Sequence, residues 1–323
     1  MSGRSSGGSS AMDDVNPSPV PASSALPPKV LPPEKPSGIR RIFVGPHGIR
    51  AGWRFVLYAL MFRAMVLILG FLLGPWNPHG TGRLWMQQII EFGSLLAALI
   101  PAIVMGRIEK HAFGDYGLPG QNAFGKLFWA GAIWGLLSIT VLLGGMRSFH
   151  AFYFGYVELH GVRILKFAFF WGLFFLLVGL FEEFLFRGYA QFALTTGIGF
   201  WPSAVLLSAL FGRIHLENQG EAWVGALSAG LIGFFFCLTL RRTGNLWFAV
   251  GFHSAFDWGE TFLYSVPNSG NRFPGHLLSS SLQGPKWLSG GTVGPEGSVL
   301  VFVLIAVLWV AFDRMYPEVR YHV

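Results

Sequence analysis

The sequence predicts an all-α fold, a polytopic membrane helix bundle with about eight transmembrane helices. Hydrophobic residues make up 52% of the chain and charged residues only 12%, whereas about 25% charged residues is usual for a soluble domain. The mean hydropathy is +0.50. Apolar runs long enough, or nearly long enough, to cross a bilayer recur along the chain. Together these observations indicate a lipid bilayer as the surrounding medium.

The apolar runs define eight candidate spans. They cover about 55–75, 85–106, 126–146, 164–187, 199–215, 222–240, 246–264 and 297–313. Basic residues precede the first run at Arg40, Arg41, Arg50 and Arg54. Since cytoplasmic loops collect Lys and Arg, this cluster predicts a cytoplasmic N-terminus. Arg147, Arg163 and Lys166, between the third and fourth spans, are the main exception to the pattern.

Two segments lie outside the apolar runs. Residues 1–38 are rich in Pro, Ser and Gly, a composition that predicts a disordered cytoplasmic tail. Residues 39–323 then form the integral membrane domain. The connection 265–296 is also rich in Pro, Gly and Ser and is too long for a simple turn. An extramembrane loop is the favoured interpretation of this connection, and a lid or a re-entrant segment is the alternative.

Charge and cysteine content exclude several classes of protein. The chain has 23 Lys+Arg against 16 Asp+Glu, a formal net charge of +7, which membrane proteins acquire through their cytoplasmic loops. Basic clusters interleaved with aromatics in the manner of a single-strand-binding groove do not occur, so a nucleic acid partner is not predicted. The single cysteine, Cys237, excludes an intramolecular disulfide and a multi-thiolate metal site. Its apolar surroundings predict a packed core residue.

The segment Phe181–Arg187 places two adjacent carboxylates at the end of a membrane-grade apolar run. A central acidic residue costs roughly 2.5–3.5 kcal/mol to insert, so the two glutamates suggest a function. Glu183 and Arg187 are i and i+4 and can pair on a helix. Glu182 lies about 100° around the helix and stays free for chemistry. Residues 188–194 can continue the helix, which would bring Glu182 nearer to the middle of the membrane.

Further polar residues recur in the later spans. His215 ends the fifth span, and His253 and Asp257 share one helix face in the seventh. Each feature has a structural alternative. His215 can be a solvated histidine, His253 and Asp257 can be a helix-stabilising pair, and Glu183 and Arg187 can be an ion pair. Taken together, ionisable residues inside a helix bundle favour a functional site.

The chemistry these residues suit is activation of water. A carboxylate can act as a general base, a histidine can orient the water, and further polar side chains can stabilise the oxyanion on an attacked amide. A serine or cysteine nucleophile is not indicated, because Cys237 has no adjacent base and the pattern Gly-x-Ser-x-Gly does not occur.

Three motifs in this order resemble the CAAX protease and bacteriocin-processing (CPBP, or Abi) family. They are Glu182-Glu183-x-x-x-Arg187, Phe211-x-x-x-His215 and His253-x-x-x-Asp257. The resemblance covers about 165–262. The family contains the type II CAAX prenyl endopeptidases and the lysostaphin-resistance-like proteins. It implies an eight-helix intramembrane endopeptidase with a glutamate-activated water and a catalytic core at about 164–264.

The resemblance also implies a role for each residue. Glu182 is the base and His215 assists it, His253 and Asp257 form the oxyanion side, and Glu183 and Arg187 support the site. The family has Asn or Asp at its last position. Since Asp donates a hydrogen bond only when protonated, Asp257 has a second possible role, which is to orient His253.

Metal dependence stays open in the sequence. Glu182, His215 and His253 have the residue types of a zinc site with two histidines and one carboxylate. The pattern HExxH does not occur, so metal-independent catalysis is favoured, without a cofactor.

The expected partners are a peptide or membrane-protein substrate and the lipid bilayer. The expected location is the bacterial inner (plasma) membrane, where bacterial origin follows only from the family resemblance.

Two alternatives have a different function. One is a non-proteolytic protein of the bacteriocin self-immunity type, and the other is a transporter that uses buried ionisable residues as a proton relay. Many transporters contain an inverted repeat, and one is not visible in this sequence, so the transporter is the less favoured of the two alternatives.

Overall fold

The computed structural model describes residues 38, 40–45, 48–76 and 84–322. The predicted disordered tail of residues 1–38 therefore lies outside the described residues, apart from Gly38.

The described chain is a bundle of α-helices with two very short β-pairs. The helices are α1 (Arg40–Phe43), α2 (Ala51–Leu73), α3 (Leu84–Glu109), α4 (Lys126–Ser148), α5 (Val162–Arg187), α6 (Tyr189–Ile198), α7 (Phe200–His215), α8 (Trp223–Thr243), α9 (Trp247–Trp258), α10 (Lys286–Ser289) and α11 (Val299–Met315). A π-helical turn, Gly259–Leu263, extends α9. Short 3₁₀ turns cover Gly74–Trp76, Phe113–Tyr116 and Pro295–Gly297.

The predicted all-α membrane bundle is confirmed, and each of the eight predicted spans corresponds to a helix. Five helical stretches are long and apolar enough to cross a membrane by length and composition: Ala51–Trp76, Leu84–Glu109, Lys126–Ser148, Val162–Ile198 and Trp223–Thr243. The helices α7, α9 and α11 are shorter, at 16, 12 and 17 residues. The chain is an integral membrane protein whose outer helix faces carry exposed apolar side chains, such as Phe71 and Val303.

The fourth span continues past Arg187, as predicted, but with a break at Gly188. The backbone of Gly188 leaves the helical region at φ −83° and ψ −117°, and α6 then resumes. A side chain at Gly188 would meet the carbonyl oxygen of Phe184 at 2.4 Å. The break therefore depends on glycine, and it ends α5 directly after the glutamate motif.

Helices α4 and α9 pack with their backbones in close contact. A Cβ on Gly131 would lie 2.0 Å from the carbonyl oxygen of Phe248, and one on Gly135 would lie 2.2 Å from that of Phe252. On the other helix, a Cβ on Gly251 would meet the carbonyl oxygen of Phe128 at 2.0 Å. Small residues spaced by four let membrane helices approach this closely. This contact fixes the position of α9, which carries His253.

The connection between α9 and α11 is a folded segment. Of the two β-pairs, the first joins β1 (Val44–Gly45) to β2 (Gly48–Ile49) before α2 and lies outside this connection. The second joins β3 (Phe152–Tyr153) antiparallel to β4 (Ser281–Leu282), which belongs to the connection. The second pair ties the connection to the segment that follows α4. Helix α10 also belongs to this connection, so the favoured interpretation of 265–296 as an ordinary loop understated its structure.

Candidate active site

A cavity of about 410 Å³ lies between the helices of the bundle and the connection that follows α9. Its apolar wall includes Ile232, Phe236, Leu304, Ile305 and Leu308. Its polar wall contains Gln87, Glu91, Glu182, His215, Asn218, His253, Asp257, Asn268, Ser269, Asn271 and Glu296. A cavity with a large apolar wall and a few converging polar groups is typical of a ligand or substrate site.

Glu182 and Glu183 are adjacent on α5 but lie in different environments. The Glu182 side chain is 24% exposed and lines the cavity, whereas the Glu183 side chain is fully buried. The difference follows from the helix, because successive residues point about 100° apart. Glu182 is therefore the carboxylate that a bound molecule can reach.

The buried Glu183 contacts Arg187 one helical turn later. Arg187 Nη1 donates to Glu183 Oε1 at 3.4 Å, and both side chains are fully buried. The pairing predicted from the i, i+4 spacing is therefore present, through a single pair of atoms. The Arg187 guanidinium lies 4.2 Å from the centre of the Phe211 ring. A Cβ at Gly233 would meet Arg187 Nη2 at 1.9 Å, so glycine makes room for the guanidinium.

His253 links the carboxylates of the site. Its Nδ1 lies 2.9 Å from Glu183 Oε1, and its Nε2 lies 3.5 Å from Asp257 Oδ2 and 3.7 Å from Glu182 Oε2. The ring stacks on Phe236 with centroids 5.9 Å apart. Both ring nitrogens of His253 thus face carboxylates, and the ring links α9 to the two glutamates of α5.

His215 lies at the end of α7 and lines the same cavity. Its Nδ1 lies 2.8 Å from the carbonyl oxygen of Phe211. Because a carbonyl oxygen only accepts, Nδ1 carries the hydrogen, and Nε2 of the neutral ring is left as an acceptor. The structure thus brings His215 to the cavity that Glu182, His253 and Asp257 line.

The zinc alternative names Glu182, His215 and His253. Within the described residues, a group of three or more His, Cys, Asp or Glu side chains with the arrangement of a metal site is not found. Both nitrogens of His253 face carboxylates. The zinc set stays a prediction, and no step is assigned to a metal.

Several cavity residues were not identified from the sequence. Glu91 is an acidic residue inside the predicted span 85–106, and the cost argument applied to Glu182 would have found it. Asn218 follows His215 by three residues and donates Nδ2 to the Ser269 carbonyl at 3.0 Å. Asn268 and Glu296 come from the connection after α9, where periodicity gives no signal.

Glu296 is held in the connection by Ser269. Its carboxylate accepts hydrogen bonds from the Ser269 backbone N–H and from Ser269 Oγ. Burial raises the pKa of Glu296 to about 8, and repulsion from Asp257 and Glu221 contributes to the rise. Burial also raises the pKa of Glu221, against the effect of its hydrogen bond from the Ala222 N–H. Glu296, Asp257 and Glu221 are therefore carboxylates whose charged forms oppose one another.

Cys237 is fully buried, as predicted, with its sulfur 3.8 Å from Ser208 Oγ. It does not line the cavity.

The fold and the cavity define a polytopic membrane protein with an acidic and histidine-containing site enclosed by its helices. Residues 164–259 match the family model described as Rce1-like, type II CAAX prenyl endopeptidase. The resemblance predicted from the three motifs is confirmed over this stretch. At the level of the family, the chain is similar to CAAX-type intramembrane proteases. A search of the curated proteins found no match to the chain.

Proposed function

We propose that this protein is an intramembrane endopeptidase that hydrolyses a peptide bond of a membrane-associated substrate through a water activated by Glu182. The observation that carries the proposal is the division between the two glutamates. Glu182 is partly exposed in the cavity that His215 also lines, whereas Glu183 is fully buried against Arg187 and His253.

The proposed reaction needs one base that returns its proton. The Glu182 carboxylate takes a proton from water, and the hydroxide attacks the amide carbon to give a tetrahedral oxyanion. The resulting carboxylic acid then gives the proton to the leaving amine as the C–N bond breaks. A positioned base of this kind usually contributes about 10²- to 10⁴-fold in rate.

His215 is proposed to orient the water. Its Nδ1 hydrogen is committed to the Phe211 carbonyl, 2.8 Å away, so Nε2 accepts a hydrogen bond from the water. An acceptor here directs one water hydrogen to His215 and leaves the other for Glu182.

His253 and Asp257 are proposed to form the oxyanion side, with Glu183 and Arg187 as their support. The contact between Asp257 Oδ2 and His253 Nε2, at 3.5 Å, supports the second role for Asp257, which is to orient the ring. Glu183 holds the opposite nitrogen at 2.9 Å. A carboxylate on each side restricts rotation of the imidazole.

The proposed substrate is a peptide or membrane protein with an apolar group near the scissile bond. Support comes from the apolar wall formed by α8 and α11, which includes Ile232, Leu304 and Leu308. A prenylated tail, which the matched family's description names, has this chemistry. A panel of matched peptides with and without a lipid chain tests it, and equal cleavage of both would contradict the preference.

The proposed location is a bacterial inner membrane with the N-terminus in the cytoplasm. Support comes from the basic residues in the last turns of α3, α8 and α11, which are Arg107, Arg241, Arg242 and Arg314. The end of α3 meets the start of α2, where Arg54 Nε donates to Glu109 Oε1 at 2.8 Å, and the end of α8 meets that of α11, where Arg242 Nε donates to Asp313 Oδ1 at 3.0 Å. Protease added to inside-out vesicles, but not to intact spheroplasts, should remove the N-terminal tail, and the reverse result would contradict the orientation.

Glu182→Gln tests the proposed function. Peptide cleavage by purified protein in liposomes should fall about 10²- to 10⁴-fold, because glutamine cannot accept the proton, while thermal unfolding stays close to wild type. Glu183→Gln should lower both activity and thermal stability, since Glu183 holds Arg187 and His253.

Glu217→Gln is the matched control, because Glu217 is exposed beyond His215 and should leave cleavage unchanged. Intact turnover in Glu182→Gln would refute the role of Glu182 as the base. Stoichiometric zinc that tracks activity in the same preparations would refute metal-independent catalysis. A wild type that cleaves no peptide of a broad panel yet protects cells from a bacteriocin would support the immunity alternative.

A further inference from the structure

The turn Asn268–Asn271 lies over the cavity with a strained backbone. The backbone N–H of Asn268 donates to the Asn271 carbonyl at 2.9 Å, and the Asn271 N–H donates back at 2.8 Å. Between them, Ser269 and Gly270 have φ values of 42° and 79°. A positive φ is rare for a residue other than glycine and is retained where the surroundings enforce it, commonly at functional sites.

Two neighbours hold Ser269 in this conformation. The Glu296 carboxylate accepts from its N–H and its hydroxyl, and Asn218 Nδ2 donates to its carbonyl at 3.0 Å. Asn218 N in turn donates to the His215 carbonyl at 3.0 Å. The turn is thus connected through Asn218 to the end of α7, where His215 lies.

The Asn268 side chain has no hydrogen bond to the described residues. It is only 7% exposed, it lines the cavity, and its Nδ2 is buried without a partner. A buried amide without a hydrogen bond is destabilising, because it has lost its bonds to water without replacing them. Rotation of the free amide exchanges its two ends, so the side chain can present a donor to the cavity without losing an internal bond.

The other asparagine amides of the cavity wall are already engaged, because Asn218 and Asn271 both donate Nδ2 to the Ser269 carbonyl. Asp257 as a carboxylate can only accept, and both nitrogens of His253 face carboxylates. A peptide bound in the cavity brings carbonyl oxygens, which require donors. The free amide of Asn268 meets that requirement.

We infer that Asn268 binds the substrate by donating its side-chain amide to a backbone carbonyl of the bound peptide. Glu296 and Asn218 are positioning residues that hold the turn. The inference rests on the proposed endopeptidase function and adds a substrate contact from a segment beyond the residues that match the family model.

Asn268→Ala tests the inference, because it keeps the backbone bonds of the turn and removes the amide. The test compares peptide cleavage by Asn268→Ala with wild type, and binding of the same labelled peptide to Glu182→Gln with and without Asn268→Ala. We expect kcat/KM to fall about 10- to 100-fold, chiefly through KM, and the dissociation constant to rise by a similar factor. Asn268→Asp, similar in size but without the donor, should show the same loss.

Gln283→Ala is the control, since Gln283 is exposed in the same connection, and it should match wild type. If Asn268→Ala also matches wild type while Glu182→Gln stops cleavage, the inference fails and the proposed function stands. A fall in kcat with unchanged peptide affinity would also overturn it. Wild type that cleaves no peptide would instead refute the proposed function.

Discussion

At the scale of single residues, the site separates a reachable carboxylate from a structural one. Glu182 faces the cavity, and its neighbour Glu183 is enclosed with Arg187 and His253. A buried charge is tolerated only when it is paired and hydrogen-bonded. The Arg187 guanidinium has a single contact with Glu183 and lies over the Phe211 ring, so stacking contributes to its stability beside the ion pair.

Arg187→Lys is therefore not a conservative change. Lysine keeps the charge but loses the planar group that stacks on Phe211 and reaches Glu183. We expect a loss of about 1–3 kcal/mol in the free energy of unfolding, measured by denaturation in detergent, together with lower peptide cleavage. Arg213→Lys, at an exposed position of α7, is the control. Equal stability of the two variants would show that neither stacking on Phe211 nor the guanidinium contact with Glu183 stabilises the fold.

At the scale of helices, the contact between α4 and α9 sets the position of the site. Gly131 and Gly135 bring α4 against the carbonyl oxygens of Phe248 and Phe252. His253 follows Phe252 directly, so a shift of α9 moves its imidazole relative to Glu183. Gly131 and Gly135, which do not line the cavity, thus control the distances within it.

Gly135→Ala should disturb this contact. The added methyl would lie 2.2 Å from the Phe252 carbonyl oxygen, which forces the helices apart and costs about 1–3 kcal/mol. Peptide cleavage should fall with thermal stability. Gly144→Ala is the matched control on the same helix, because a Cβ there meets nothing within 4 Å. Identical behaviour of the two variants would contradict the proposed role of the contact.

At the scale of the whole molecule, the bundle and the connection after α9 close the cavity together. Glu296 joins the two parts, since it holds Ser269 and lies near Asp257 and Glu221. Its pKa, raised by burial to about 8 from a usual 4.5, gives the connection a pH-dependent stability. Between pH 4.5 and about pH 8, the Glu296 carboxyl is protonated in the folded protein and ionised in the unfolded chain.

We expect Glu296 to make the connection less stable as pH rises. Because the folded state binds more protons, the contribution of Glu296 to stability falls as pH rises from about 4.5 to about 8 and is constant above that range. Hydrogen exchange within 265–298 should therefore show less protection, after correction for intrinsic rates, at pH 8 than at pH 5. Glu296→Gln should flatten the difference, whereas Glu318→Gln, on an exposed residue, should not. A profile unchanged by Glu296→Gln would contradict the prediction.

Much of the fold was predictable from the sequence, because the bilayer requires long apolar helices and these are visible in hydropathy. The helices α2, α3, α4, α5 and α8 follow the predicted spans to within a few residues. The separation of Glu182 from Glu183 was also predictable, since helix geometry alone turns adjacent side chains about 100° apart.

The sequence by itself determined the membrane helix bundle and the residues of the three motifs, because hydropathy and helical periodicity are local properties. The tertiary structure alone placed Asn268 and Glu296 in the cavity and limited the Arg187–Glu183 pair to one contact. These features depend on contacts between segments distant in the chain, and in the connection after α9 on a turn held by Glu296. Local patterns contain no information about such contacts.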